Sequence, residues 1–206
     1  MPEFMIMILS NEADESQLAP SETKALVEGH SAYEKKLRAA SAYLDGERLR
    51  PSAEGKRIGT SDGRARVTVG PFEETAFGGY YLVKADTLDA AVALAEACPM
   101  AEEASLDVRP IMASHIKPEK ASRPGRVFAF AVLGNAATER GWIEVMDRIE
   151  ERTRDGFPNA SFLGGLRLDA PGRGRRVTSA GGLRAIFVGP FLESKDRGLP
   201  RWFVEK

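Results

Sequence analysis

The sequence predicts an α+β fold that consists of two related units, the second of them incomplete. The first observation is an internal repeat. Residues 165–194 resemble residues 46–75, and the two segments align at a constant offset of 119 positions without a gap. A repeat at a fixed offset indicates that one structural unit was duplicated. The second observation is the order of apolar patterns before residue 112, in which single helices separate short groups of strands.

The first element is a strand over residues 4–9, and it is apolar at every position. Phe4, Ile6 and Ile8 form one alternating set, and Met5, Met7 and Leu9 form the other. Since successive side chains of a strand point to opposite faces, a strand that is apolar in both sets is expected to be buried on both faces.

A helix is expected next, from Glu22 to about Ala42, with Ser21 as its N-cap. Leu26, Tyr33 and Leu37 lie near helical spacing and would face the sheet. The segment between the first strand and Pro20 is polar and is predicted to be a loop.

The rest of the first unit alternates extended and helical patterns. A helix capped by Asp86 or Thr87 ends at Pro99, and the expected strands are residues 44–51, 64–69, 80–83 and 105–111, with a glycine-rich connection over residues 55–63. The order strand, helix, strands, helix, strand is the ferredoxin-like pattern.

The second unit repeats this pattern and stops early. We predict a first unit over residues 1–112, a linker over residues 113–125 and a second, shortened unit over residues 126–206. The second unit has a strand near 126–133, a helix near 138–154 and a strand pair at 160–168 and 182–188, but no second helix. A ferredoxin-like sheet carries helices on one face only, so the two units are expected to pack sheet to sheet. The shortened second unit leaves strand edges unprotected, so two outcomes stay open: the chain forms a homodimer, or the linker covers these edges.

Composition excludes several classes of function. The formal net charge of −1 gives no global attraction to nucleic acid or to an anionic membrane. No apolar run reaches the roughly 20 residues that a membrane span needs. Cys98 is the only cysteine, and no Cys/His cluster has zinc spacing. The glycine-rich segments lack the Lys-Ser/Thr of a phosphate-binding loop. We therefore predict a cytoplasmic protein without cofactor or metal, and without a nucleic-acid or membrane partner.

Several short motifs occur together in the first unit: His30, Leu49-Arg50-Pro51-Ser52, Val67-Thr68-Val69-Gly70-Pro71-Phe72-Glu73-Glu74-Thr75, Gly78-Gly79-Tyr80-Tyr81, Cys98-Pro99 and Val108-Arg109-Pro110. In combination they resemble the YCII-related family, in particular its DGPF branch. The resemblance covers residues 4–112 and, in weaker form, residues 126–204. It implies ferredoxin-like units that pair into a dimeric α/β barrel.

The resemblance also implies two kinds of function. Some relatives look like small-molecule enzymes of aromatic breakdown that share a His–Asp pair, and DGPF-type members are often encoded beside sigma factors. This chain departs from the pattern, because Val69 and Val188 replace the aspartate of the DGPF motif and Cys98 stands where the partner aspartate is expected. The second unit has no histidine.

His30 is the candidate catalytic residue, since an imidazole on a helix near the sheet can act as a general base at neutral pH. A base of this kind needs an orienting partner. Cys98 is a second candidate, as a nucleophile with His30 as its base. The alternatives are an ordinary helix histidine and a buried, inert thiol.

Arg48, Tyr81 and Glu74 are the candidate ligand-binding residues. Arg48 recurs as Arg167, and Arg57 as Arg176, so paired arginines could clamp an anion; the alternative is inherited surface charge. Tyr81 could line an apolar cleft, and alternation puts Tyr80 on the opposite face. Glu74 follows the Gly-Pro-Phe turn and either braces that turn or lines a pocket mouth.

Two function classes stay open. The first is a YCII-related protein that binds a small organic molecule between the sheets, with lyase or isomerase chemistry that uses His30. The second is a non-catalytic regulatory or scaffold module linked to a sigma factor, which the lost aspartate and the shortened second unit favour. The alternative that the chain departs from its family after Ser194 through truncation also stays open.

Overall fold

The computed structural model describes residues 1–54, 56–61, 64–71, 75–116, 128–129, 147, 164–169, 171–180, 182–189 and 202–204. The chain divides into two compact units. The first comprises residues 1–49, 73–111 and 169–195, and the second comprises residues 50–72, 112–168 and 196–206.

Helices and strands alternate along the described residues. The strands are β1 (Glu3–Asn11), β2 (Tyr43–Arg48), β3 (Lys56–Ser61), β4 (Arg64–Val69), β5 (Thr75–Lys84), β6 (Ser105–Ile116), β7 (Phe128–Ala129), β8 (Gly164–Leu168), β9 (Arg175–Ala180), β10 (Leu183–Val188) and β11 (Trp202–Val204). The α-helices are α1 (Glu12–Ser16), α2 (Pro20–Ala39) and α3 (Leu88–Glu96), and short 3-10 helices cover Ser52–Glu54, Pro99–Glu102 and Pro171–Arg173.

The first unit is built on one antiparallel sheet with the strand order β10-β9-β6-β1-β5-β2. The four consecutive strands β6, β1, β5 and β2, together with α2 and α3, have the order of a ferredoxin-like unit, and the predicted α+β class is confirmed. Ile6 of β1 lies between Tyr81 of β5 and Val108 of β6 in the ladder. The predicted strand over residues 4–9 is therefore the centre of this sheet.

Strand β1 is buried on both faces, as its two apolar sets predict. On one face Phe4, Ile6 and Ile8 join a core cluster with Tyr33 and Leu37 of α2. On the other face Met5 and Met7 are also buried. Full removal of an aliphatic side chain from water contributes about 1.5–3 kcal/mol, so this strand contributes more apolar burial than a strand with one wet face would.

Helix α2 begins two residues earlier than the sequence suggests. The predicted N-cap Ser21 is wrong, because Pro20 is already helical and Ala19 is the N-cap. The Glu22 carboxylate accepts a hydrogen bond from the Ala19 N–H at 2.7 Å, which is the contact that the third helical residue makes in a capping box. The helix ends at Ala39 rather than Ala42, and Ser41 follows with a positive φ of 55°.

Three further elements differ from the sequence predictions. The polar segment before Pro20 contains α1, capped by the Asn11 side chain, which accepts from the Ala13 N–H at 2.9 Å. The glycine-rich connection contains strand β3, which pairs with β4. Strand β6 extends to Ile116, so residues 113–116 of the predicted linker are extended, and the rest of that linker lies outside the described residues. The predicted cap Thr87 is confirmed, because its hydroxyl accepts from Ala90 N–H.

The second unit contains a four-stranded sheet in the order β4-β3-β11-β7. Strand β8 also belongs to this unit and pairs with β6, which enters the unit at residue 112. The predicted helix near 138–154 lies outside the described residues apart from position 147. Strands β9 and β10 begin and end 119 positions after β3 and β4; the duplication itself and the domain boundaries at 112 and 125 stay predictions.

A buried ion pair links β6 to β9 on the sheet face away from the helices. Arg176 donates to both carboxylate oxygens of Asp107, at 2.6 and 2.9 Å, and the two side chains are only 13% and 6% exposed. The residues lie opposite each other in the ladder. Paired bidentate geometry makes such a buried contact favourable, whereas loss of one partner would leave a buried charge.

We expect Leu37→Ala to lower the free energy of unfolding by about 2–5 kcal/mol, because it removes a fully buried side chain between α2 and the sheet. Val27→Ala on the same helix is the matched control. Val27 is 54% exposed, so its truncation should change the free energy by no more than about 0.5 kcal/mol. Urea unfolding followed by circular dichroism measures both. Equal effects would contradict the placement of Leu37 in the core.

Candidate functional site

His30 and Tyr81 form the centre of the candidate site. His30 Nδ1 lies 2.6 Å from the Tyr81 hydroxyl oxygen, although the residues are 51 positions apart. The two rings stack, with centroids 6.0 Å apart and an interplanar angle of 19°. His30 is half-buried in α2, and Tyr81 is buried in β5. The tyrosine is thus an orienting partner of the kind that a functional histidine needs.

Packing fixes the Tyr81 ring from two sides. Tyr33 of α2 meets it edge-on, with ring centroids 5.0 Å apart at 84°, and the Tyr33 hydroxyl donates to the Leu94 carbonyl at 2.8 Å. Gly46 of β2 lies beneath the ring, where a Cβ atom would come within 2.7 Å of Tyr81 Cδ1. Only glycine allows this approach of strand backbone to ring.

The hydrogen bond between His30 and Tyr81 favours one arrangement of protons. Burial raises the pKa of Tyr81, so the phenol stays protonated at neutral pH. The protonated phenol can donate to His30 Nδ1, and the tautomer of the imidazole decides which of the two atoms is the donor. Burial, and then the charge of Arg48, lower the pKa of His30, so the imidazole is neutral. A neutral ring that accepts at Nδ1 carries its proton on Nε2.

Arg48 and Glu15 add opposite charges beside His30. Arg48, in β2, donates to the Glu15 carboxylate at 3.1 Å, and the Arg48 side chain is 64% exposed while Glu15 is 24% exposed. The Arg48 charge lowers the pKa of His30 and the Glu15 charge raises it. Glu15 lies in α1, the short helix that the sequence does not predict, so this second charge was missed.

Ser10 is a buried hydroxyl close to this pair of charges. Its side chain is 3% exposed, and its Oγ has no hydrogen-bond partner in the described part of the chain. A Cβ atom on Gly78 would lie 2.8 Å from Ser10 Oγ and 3.7 Å from a Glu15 carboxylate oxygen. Gly78 therefore leaves room beside two polar groups, at the point where the β1–β5 register shifts.

Cys98 lies near the aromatic residues but does not partner His30. It is buried, and burial raises the pKa of its thiol to about 11. A protonated thiol is a poor nucleophile, which favours the inert alternative. The candidate Arg176 is also engaged elsewhere, since it binds Asp107.

The structure brings together three of the four candidate site residues, His30, Tyr81 and Arg48. The fourth, Glu74, lies outside the described residues. Tyr81 belongs to the core cluster on the helix-covered face, so His30 does not open into a space on the opposite face of the sheet. Tyr80 is separate from the site, as alternation predicts, and its hydroxyl donates to Asp45 at 3.1 Å.

The described residues contain no group of three or more His, Cys, Asp or Glu side chains with the spacing of a metal site. Across the same parts of the chain, every helix is too short or too polar to cross a membrane.

A family profile for the YCII-related domain matches residues 3–115. The match includes His30, Tyr81, Arg48 and Glu15 and ends before residues 165–194. No curated protein matches the chain.

Substitutions of Arg48 and Glu15 should move the pKa of His30 in opposite directions. Arg48→Met removes the positive charge and should raise this pKa, whereas Glu15→Gln removes the negative charge and should lower it. The chain has two histidines, so proton NMR titration of the imidazole signals measures the shift, with His115→Gln to assign them. Shifts in the same direction would contradict the arrangement.

Stability should fall as pH falls through the range in which His30 takes up a proton. Its pKa in the folded chain is below the ordinary value of 6.5, so just below pH 6.5 the unfolded state binds more protons. The free energy of unfolding should therefore decrease from pH 7 downward until the folded pKa is passed. His30→Gln should show a shallower decrease in urea unfolding at matched pH values. Parallel curves would exclude a depressed pKa.

Proposed function

The chain belongs to the YCII-related family, and from this premise we propose that it binds a small organic anion or carbonyl compound at His30. The observation that carries the proposal is the hydrogen bond between His30 Nδ1 and the Tyr81 hydroxyl. It holds a neutral imidazole in one orientation and leaves Nε2 for a ligand. A histidine with a lowered pKa and a specific side-chain partner is a candidate for a functional site.

His30 donates to the ligand through its Nε2–H. The lowered pKa of His30 keeps the ring neutral, and the Tyr81 hydroxyl occupies Nδ1. The oxygen of a carboxylate, an enolate or a carbonyl group fits this donor. A base at Nε2 would require the other tautomer, in which Nδ1–H donates to the Tyr81 oxygen. The proposal therefore gives His30 the role of a hydrogen-bond donor in the resting protein, whereas the sequence predicts a general base.

Arg48 supplies the positive charge for an anionic ligand. Among the described residues Arg48 donates one hydrogen bond, to Glu15, and its side chain is largely exposed, so further N–H donors of the guanidinium face solvent. Two donors on one side of a ligand oxygen stabilise negative charge that develops there. Lyase and isomerase steps next to a carbonyl group need this kind of stabilisation, and we assign the protein to that class.

The proposal includes the wider assembly that the family resemblance implies. Two ferredoxin-like units would pair through the sheet faces that lie away from the helices and form a barrel. The support is the apolar character of that face in the first unit, where Met5, Met7 and Leu82 are buried. An apolar sheet face needs a cover.

Benzoate, a simple lactone and a hydroxylated aromatic acid serve as probes, with binding followed by the NMR signals of His30 and by calorimetry. At least one should shift the His30 signals in the wild type. Tyr81→Phe keeps the ring and removes the hydroxyl, and should weaken binding by about tenfold because His30 loses its orienting partner. His30→Ala should weaken it further.

Tyr80→Phe is the matched control, since it removes the neighbouring hydroxyl on the opposite face of the same strand. It should leave binding unchanged. Equal affinities in wild type and His30→Ala would end the proposal. Absence of any binding, with all variants folded, would favour the alternative of a regulatory or scaffold module.

A further inference from the structure

Strand β10 combines an open edge with exposed apolar side chains. It is the outermost described strand of the first unit and pairs with β9 alone. Leu183 and Phe187 are 77% and 52% exposed on one face, and Ile186 and Val188 are 50% and 64% exposed on the other. An edge strand that is apolar on both faces is a template for pairing with another strand.

The strand offers no free charge to a partner. Arg184 is its only charged residue, and the guanidinium donates twice to the Glu102 carboxylate of the same unit, at 3.1 and 2.6 Å. A charged partner segment would therefore find no ionic complement on β10. The partner that fits β10 is therefore an apolar strand without charged side chains.

The strand at the corresponding position in the first copy of the repeat differs in its charged residues. Strand β4, 119 positions earlier, has Arg64, Arg66 and Thr68 where β10 has Leu183, Ala185 and Phe187. Charged residues on an edge strand oppose edge-to-edge association. The repeat thus carries the protective residues in one copy and lacks them in the other.

We propose that β10 is an interface through which two copies of this chain associate by antiparallel edge pairing. The open edge of β10 needs backbone groups to pair with, and its exposed apolar side chains need an apolar surface without charge. A second β10 supplies both, since among the described strands it pairs with β9 alone. Antiparallel pairing of identical strands is two-fold symmetric, so the contact closes as a dimer. Residues near the start of β10 then lie opposite residues near its end, and Arg184 does not face its own copy.

Sedimentation velocity over a range of concentrations tests this interface. The wild-type chain should show a monomer–dimer equilibrium. A triple variant, L183R/A185R/F187T, gives β10 the residues of β4 and should weaken the dimer by about tenfold or more. Val27→Arg adds a charge at an exposed apolar residue of α2 and should leave the dimer unchanged. Circular dichroism establishes that both variants are folded.

A cross-linking experiment keeps the proposal testable if the triple variant does not fold. Chains with Leu183→Cys and chains with Phe187→Cys, which lie on the same face of β10, are mixed and oxidised; the native Cys98 is buried. Antiparallel pairing should favour the mixed disulfide over either symmetric one. A wild-type monomer at all concentrations, a dimer that the triple variant does not weaken, or predominance of the symmetric disulfides would overturn the proposal.

Discussion

The burial of β1 on both faces is the constraint on which the first unit depends. A strand with Phe4, Ile6 and Ile8 on one side and Met5 and Met7 on the other cannot lie at an edge or against water. It therefore takes the centre of the sheet, with β5 and β6 as neighbours. Helix α2 must then cover one face, and its position over β5 brings His30 to Tyr81. The contact between His30 and Tyr81 therefore follows from the packing of α2 on the sheet that β1 centres.

The spacing of apolar residues predicts those helices and strands of this fold that bury an apolar face. Strand β1 and helix α3 follow from alternation and from the Thr87 cap. Helix α1 could not be predicted because it is one turn of polar residues, held by the Asn11 side chain. Strand β3 was hidden by Gly59, since a strand with glycine in it resembles a loop until its partner β4 is known.

The sequence indicates which residues form the candidate site, but it does not indicate which of them contact each other. The resemblance indicates His30 and places the partner at Cys98, where a carboxylate was sought. The partner is instead a phenol from β5, and no local pattern relates residues that are 51 positions apart. Gly46 was a usable signal, because a glycine inside a strand often marks the close approach of a ring or ligand. Glu15 and Ser10 needed the three-dimensional structure.

The Asp107–Arg176 pair has a consequence for where this protein can be cut. Residues 169–195 complete the sheet of the first unit, whereas the family profile stops at 115. An excised fragment with the boundaries of the profile would expose the edge of β6 and leave the Asp107 carboxylate without the guanidinium that pairs with it. The segment that the family profile matches and the segments that form the first unit are therefore different parts of the chain, because the β9–β10 hairpin supplies the guanidinium that neutralises Asp107.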